Sequence, residues 1–351
     1  MTHIYPDYSR PVWHRLLLTR EAGVIGLLVA VWLYALGNVD NFDGPLTLTY
    51  LLLDVTPILL IALPMTLVIV TGEIDLSVAS VVGLSSVLVG VLYEAGFSMS
   101  VAAIVALVAG AVCGAFNGFL VAYMGLPSLA VTIGTLALFR GLAVGLLGTK
   151  AITGFPDRWT DLATAKIGDS SIPLVMVLFV VLAIAFTLLL QFSAFGRGVY
   201  DIGLNKEAAH FTGVDVVCTK FLLFLLTGVV SALAGIYFTL RFGSARGDNA
   251  TGLELQVIAA VLLGGVSIFG GRGKLHGVIA GVLLIGVISS ALRLESVTVN
   301  VINIIIGLLL VASVVSPSVL DWISDKNARR NKRGSDPSSP NAPVGVGTQG
   351  R

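Results

Sequence analysis

The chain has 351 residues, of which 56% are hydrophobic and 12% charged, and its net charge is +1. Soluble domains carry about 25% charged residues, so the composition excludes a string of ordinary globular domains, and the near-zero charge excludes attraction to nucleic acid. The two cysteines, Cys113 and Cys218, show neither a disulfide framework nor metal-ligand spacing and read as small apolar fillers.

Along the chain, Arg10, Arg15 and Arg20 come first, and no small-residue cleavage site follows the first apolar stretch. That stretch is expected to be retained as a helix. Ten apolar stretches run at about 22–38, 49–70, 77–93, 99–123, 129–147, 173–192, 219–240, 254–270, 275–292 and 299–316. A helix needs about 20 apolar residues to cross a ~30 Å hydrocarbon core. The runs are continuously apolar and lack the period-two alternation of barrel strands. The expected fold is therefore all-α, a polytopic transmembrane bundle of about ten helices. It would occupy 21–316, between a short segment at 1–20 and a polar tail at 317–351 whose Ser, Pro and Gly content predicts disorder.

Lysines and arginines set the expected orientation. With the N-terminus in the cytoplasm, the inner segments hold Arg10, Arg15 and Arg20, then Arg197, Lys206 and Lys220, then Arg272 and Lys274, then Lys326, Arg329, Arg330, Lys332 and Arg333. The outer loops hold only Lys150, Arg158, Lys166, Arg241, Arg246 and Arg293. This bias places both termini in the cytoplasm.

Several segments carry polar chemistry. Asp54 lies near the edge of the second stretch, where solvation is expected. Gly72-Glu73-Ile74-Asp75-Leu76-Ser77 puts two carboxylates beside an apolar run. Asp75 is expected to cap the following helix, and the segment is a candidate gate. Gly110, Gly114 and Gly118, and likewise Gly273, Gly277 and Gly281, recur every four residues, a spacing that lets helices approach closely in lipid. Asn117, Arg140 and Asn303 are polar within apolar stretches and suit interhelical bonding or a solute path. Arg140 needs a buried partner.

In the connecting segment 196–217, Asn205 suits a helix N-cap and Gly213 the left-handed stop, implying a helix of about eight residues. So short a helix is unstable alone in water and must dock on something. Ala208 and Ala209 beside Phe211 offer a compact knob for a partner, though a helix lying on its own membrane domain fits composition equally well. In 241–254, Thr251 and Glu254 form the pattern of a capping box. Arg241, Arg246 and Asp248 offer charges for a docking protein or merely a solvated loop. No phosphate-binding glycine loop, zinc-protease motif or serine elbow occurs, so ATP hydrolysis, if it drives transport, belongs to another polypeptide.

Gly72–Ser77, Gly203–Gly213 and the glycine-rich run 264–273 occur in the order and spacing found in ribose-type ABC importer permeases, the membrane subunits for monosaccharides and autoinducer-2. The chain resembles that family from about residue 20 to 316. One departure is Glu73, where the family usually has glycine. The resemblance implies a transport subunit, not an enzyme, with no cofactor of its own; ATP and Mg would sit on a partner ATPase with two fused nucleotide-binding domains. It further implies an extracytoplasmic sugar-binding protein and a second permease copy or paralogue. On this reading Gly203, Asn205, Ala208, Ala209, Phe211 and Gly213 couple to the ATPase, and Arg241, Arg246 and Asp248 meet the binding protein. The 241–254 loop is closer to permeases for autoinducer-2, rhamnose and related polyols than to those for ribose. The alternatives are an ion-coupled secondary transporter using Asp54, Glu73, Asp75 or Arg140, a passive channel, and a permease for branched-chain amino acids.

Overall fold

A computed structural model describes residues 19–313 and 315. Expectations for residues 1–18 and for the tail lie outside the described residues. Each apolar stretch corresponds to a helix. Among the described residues, seven are long and apolar enough to cross a membrane, and three further apolar helices are shorter. In chain order the helices are α1 (Arg20–Asn38), α2 (Thr47–Val70), α3 (Val78–Glu94), α4 (Met99–Gly118, continued by a π-helical turn Phe119–Tyr123) and α5 (Ser128–Leu147). Then come α6 (Asp157–Thr164), α7 (Val175–Thr187, with a π-helical turn Leu188–Phe192), α8 (Ala194–Leu204), α9 (Lys206–Phe211), α10 (Val216–Phe242), α11 (Leu253–Leu263) and α12 (Leu275–Leu294). The last among the described residues is α13 (Val299–Ser313). Residues up to Leu310 group as one unit and Val311–Arg351 as another; of the second only 311–313 and 315 are described.

α2 is the central post, and its side chains from Val55 to Val70 are all buried. Pro57 and Pro64 lie inside it, and each removes a backbone donor. The carbonyl left over by Pro57 is that of Leu53, and it accepts the Tyr237 hydroxyl at 2.9 Å. A buried polar group orphaned by proline thereby becomes a tie between α2 and α10.

The expected glycine packing is realised between α4 and α10. A methyl group at Gly110 would stand 2.6 Å from the Gly228 carbonyl oxygen, one at Gly114 would stand 3.0 Å from Leu225 Cα, and one at Gly118 would stand 3.0 Å from the Phe221 oxygen. All three glycines face α10, so only hydrogen side chains permit this approach. In the second series Gly277 and Gly281 press on Gly264 and on the Ala260 carbonyl of α11. Gly273 does not belong to that helical row, because it lies before α12 with φ +150°.

The eighth expected helix, 254–270, needs correction. α11 stops at Leu263, and Gly264–Lys274 folds as a loop. Gly265, Gly270, Gly271 and Gly273 all adopt positive φ there, which ends any helix. Eleven helical residues rise only about 16 Å, half of a hydrocarbon core.

Outward faces of α4, α5 and α7 are apolar, with Val112, Ile133 and Val181 each more than half exposed. Such a surface is costly in water and ordinary against lipid tails. The protein is a multi-pass membrane protein. Its loops gather at two ends, one holding 71–77, 193–215 and 264–274, the other holding 39–46, 148–174 and 243–252. At the second end a short antiparallel ladder pairs Ile152 with Ala245 and Thr153 with Ser244.

Candidate functional site

At the first end, Gly72 turns the chain out of α2 with φ +81°. The connector that follows is sewn to its neighbours: the Ile74 N–H donates to Ser128 Oγ at 3.2 Å, and Thr132 Oγ1 donates to the Ile74 carbonyl at 3.3 Å. Asp75 is buried, and one of its oxygens accepts both the N–H and the hydroxyl of Ser77, at 2.9 and 2.6 Å. Burial pushes the Asp75 carboxyl up to about 6, with the Ser77 bonds opposing that rise. Ser77 Oγ in turn accepts from Asn117 Nδ2 at 2.8 Å. The expectation that Asp75 caps α3 is met differently. Its carboxylate binds the N–H of Ser77, the N-cap residue itself, instead of an amide deeper in the first turn. The connector is held, in effect, by a three-residue buried chain, Asp75–Ser77–Asn117.

Glu73 forms an ion pair with Lys220, whose side chain is 8% exposed, in the second turn of α10. A buried pair of this kind is costly to break on one side only.

The short helix is present as α9, six residues long against the expected eight. Asn205 caps it as expected, its Oδ1 accepting the Glu207 and Ala208 N–H groups at 3.0 Å. Gly213 closes the following turn at φ +87°. Phe211 is 87% exposed, and Ala208 is exposed beside it. Ala209 is not part of that knob. It is buried against Ile202 and Val216, because one face of α9 must cover the adjoining α8 and α10. Gly203 is likewise a packing position, since a side chain there would strike the Val70 carbonyl and Gly271. The Gly271 N–H donates to that same Val70 carbonyl at 2.8 Å, and Tyr200 Oη donates to the Gly273 carbonyl at 2.6 Å. The glycine-rich loop therefore binds α2 and α8 together.

At the second end, Arg140 finds carbonyls instead of a carboxylate. Nη1 donates to Gly247 O at 2.9 Å and Asn249 O at 2.7 Å, and Nη2 donates to Ala79 O at 3.0 Å. Gly83 leaves the room that the guanidinium fills. Asp54 is paired, not merely solvated: it faces Arg293 at 2.9 Å and Arg241 at 3.5 Å. Arg241 also lies over the Tyr50 ring and is only 16% exposed, so it is a staple of the bundle and offers little to a docking partner. Arg246 and Asp248 are exposed and bind each other through two 2.9 Å bonds, which hold the Asp248 carboxyl below its ordinary range. The expected capping box does not form. Gly252 takes the N-cap position of α11 at φ +86°, and Thr251 turns its hydroxyl back to the Asp248 carbonyl. Asn303 is exposed on α13 and joins none of these groups.

Residues 47–314 match the family model described as the branched-chain amino acid transport system / permease component. The chain belongs to this permease family. Among its curated relatives is the autoinducer 2 import system permease protein LsrD of Yersinia enterocolitica, 36% identical over 84% of this chain and 89% of that one. The protein of the same name from Photorhabdus luminescens is 34% identical over 85% and 92%. No solved structure matches the permease.

Two contacts of the permease escaped sequence reasoning. The Glu73–Lys220 pair joins residues 147 apart, and its only signal was a lysine just inside an apolar stretch that starts at the same end as Glu73. The Asp54–Arg241–Arg293 staple had the same kind of signal, three charges at the ends of α2, α10 and α12.

Proposed function

We propose that the permease imports a monosaccharide or related small polyol by alternating access, driven by an ATPase on a separate chain. The substrate class follows the relatives named for autoinducer 2 import, with rhamnose and pentoses as chemically similar candidates. The observation that carries the reading is α9: six residues, capped by Asn205, presenting Ala208 and Phe211 outward. A lone helix of this length does not persist in water, and an 87% exposed phenylalanine beside a cavity is suited to a partner's cleft. The partner is an ATPase with two fused nucleotide-binding domains, which holds ATP and Mg. Two permease bodies, each residues 21–316, sit side by side on it.

Both termini and the α9 end face the cytoplasm, in line with the lysine and arginine bias. The opposite end, with Arg246 and Asp248 exposed on a loop pinned by Arg140, receives an extracytoplasmic binding protein. That protein supplies selectivity, so the path itself needs few polar anchors. Asp75, Ser77 and Asn117 hold the 71–77 connector as a gate element.

Uptake of labelled autoinducer 2, rhamnose and ribose by cells expressing the complete system tests this reading. Uptake should stop on ATP depletion and survive an uncoupler while ATP is maintained. Loss with the uncoupler alone would mean ion coupling and refute the proposal.

A further inference from the structure

Lys220 has two neighbourhoods. On one side its ammonium meets Glu73 in the α2–α3 connector. On the other it lines a cavity of about 430 Å³ whose walls include Lys206, Glu207, His210 and Phe211 of α9. α9 leads into α10 through only Thr212–Asp215, and Lys220 stands in the second turn of α10. A displacement of α9 is therefore delivered to the base of α10 within a few residues. The connector is fastened on its far side to α4 and α5 by the Asn117, Ser128 and Thr132 bonds. Between α10 and the connector, the charge-to-charge tie is Glu73–Lys220, and its mostly buried ions make it expensive to part.

We propose that the Glu73–Lys220 ion pair is the link that carries motion of α9 into the Asp75–Ser77–Asn117 connector, making Glu73 a positioning residue for the gate. This inference rests on the reading that an ATPase grips α9. The cavity leaves open space beside the Lys206–Phe211 face of α9, its Ala209 face stays packed on α8 and α10, and the ion pair keeps the base of α10 and the connector moving as one body. Neutralising either partner leaves the connector attached to α4 and α5 through its other bonds. It then rests in place but no longer follows α9.

The test is hydrogen exchange of the permease assembled with its ATPase in lipid nanodiscs, without nucleotide and after trapping with ATP and vanadate. In the native complex, trapping should change exchange in both 206–212 and 72–77. In Glu73→Gln and Lys220→Met the 206–212 response should persist, while the 72–77 response falls at least tenfold. Lys220→Arg and the exchanged pair Glu73→Lys/Lys220→Glu should restore it. If 206–212 fails to respond in the native complex, the grip on α9 is wrong and the inference falls with it. If 206–212 responds but 72–77 does not, or Glu73→Gln leaves the 72–77 response intact, the inference alone is overturned. It is overturned in the same way if neither restoring variant inserts and responds.

Discussion

Replacing Arg140 with methionine should free the loop 246–250 from the bundle. Three charge-assisted bonds are lost, to Gly247, Asn249 and Ala79, each worth about 1.5–3 kcal/mol net. Simple addition gives about 4.5–9 kcal/mol, which overstates the effect. Arg140 is half-buried, water can replace part of what the carbonyls lose, and bonds made by one group are not additive. About 3 kcal/mol is the reasonable magnitude, or roughly a 150-fold shift toward an open loop. The assay is hydrogen exchange at Asn249 and Thr251, whose amides bond within the loop to Arg246 and Asp248. Exchange there should rise by about that factor, while the β-ladder between Ile152 and Ala245 changes less. Arg140→Lys keeps the charge but offers one nitrogen where the arginine uses two, so roughly a tenfold rise is expected. Unchanged protection in the methionine variant would show that the three carbonyl bonds do not hold the loop.

Ala208→Trp should insert and fold normally yet abolish stimulation of the ATPase and transport, because that position is exposed; Ala209→Trp should instead reduce the yield of folded protein, since its site is buried against Ile202 and Val216. Gly114→Leu should lower the melting temperature in detergent sharply, with a cost of about 3 kcal/mol or more, because backbone atoms of α10 stand where the side chain must go. Arg246→Glu breaks the bond to Asp248 and places two like charges side by side, so capture of the binding protein in a pull-down should weaken while thermal stability stays near native.

Element identity was legible because lipid imposes a simple rule. A span must be apolar and helical, and ten such runs mark ten helices. The error fell where apolar content and backbone freedom part company: the run 254–270 satisfies hydropathy, but the positive-φ glycines Gly265 and Gly270 within it, with Gly271 and Gly273 just after it, fold its second half as a loop. Local bonds were equally readable, as Asn205 and Gly213 show, since cap and stop depend on neighbours in sequence. Long-range polar partners were not. Arg140 chooses carbonyls on two other segments, and Thr251 abandons the capping box because Gly252, at a φ open chiefly to glycine, takes the cap position. The division between Ala208 and Ala209 also required the fold. On a six-residue helix only the docking of α9 against α8 and α10 decides which alanine is covered.

The central claim is that α9 is worked by a separate ATPase, and reconstitution tests it most directly. Liposomes containing the permease alone, with ATP and with or without an ion gradient, should take up no labelled autoinducer 2, rhamnose or ribose. Adding the ATPase and the loaded binding protein should produce uptake that Ala208→Trp abolishes. Solute accumulation by the permease alone would contradict the account.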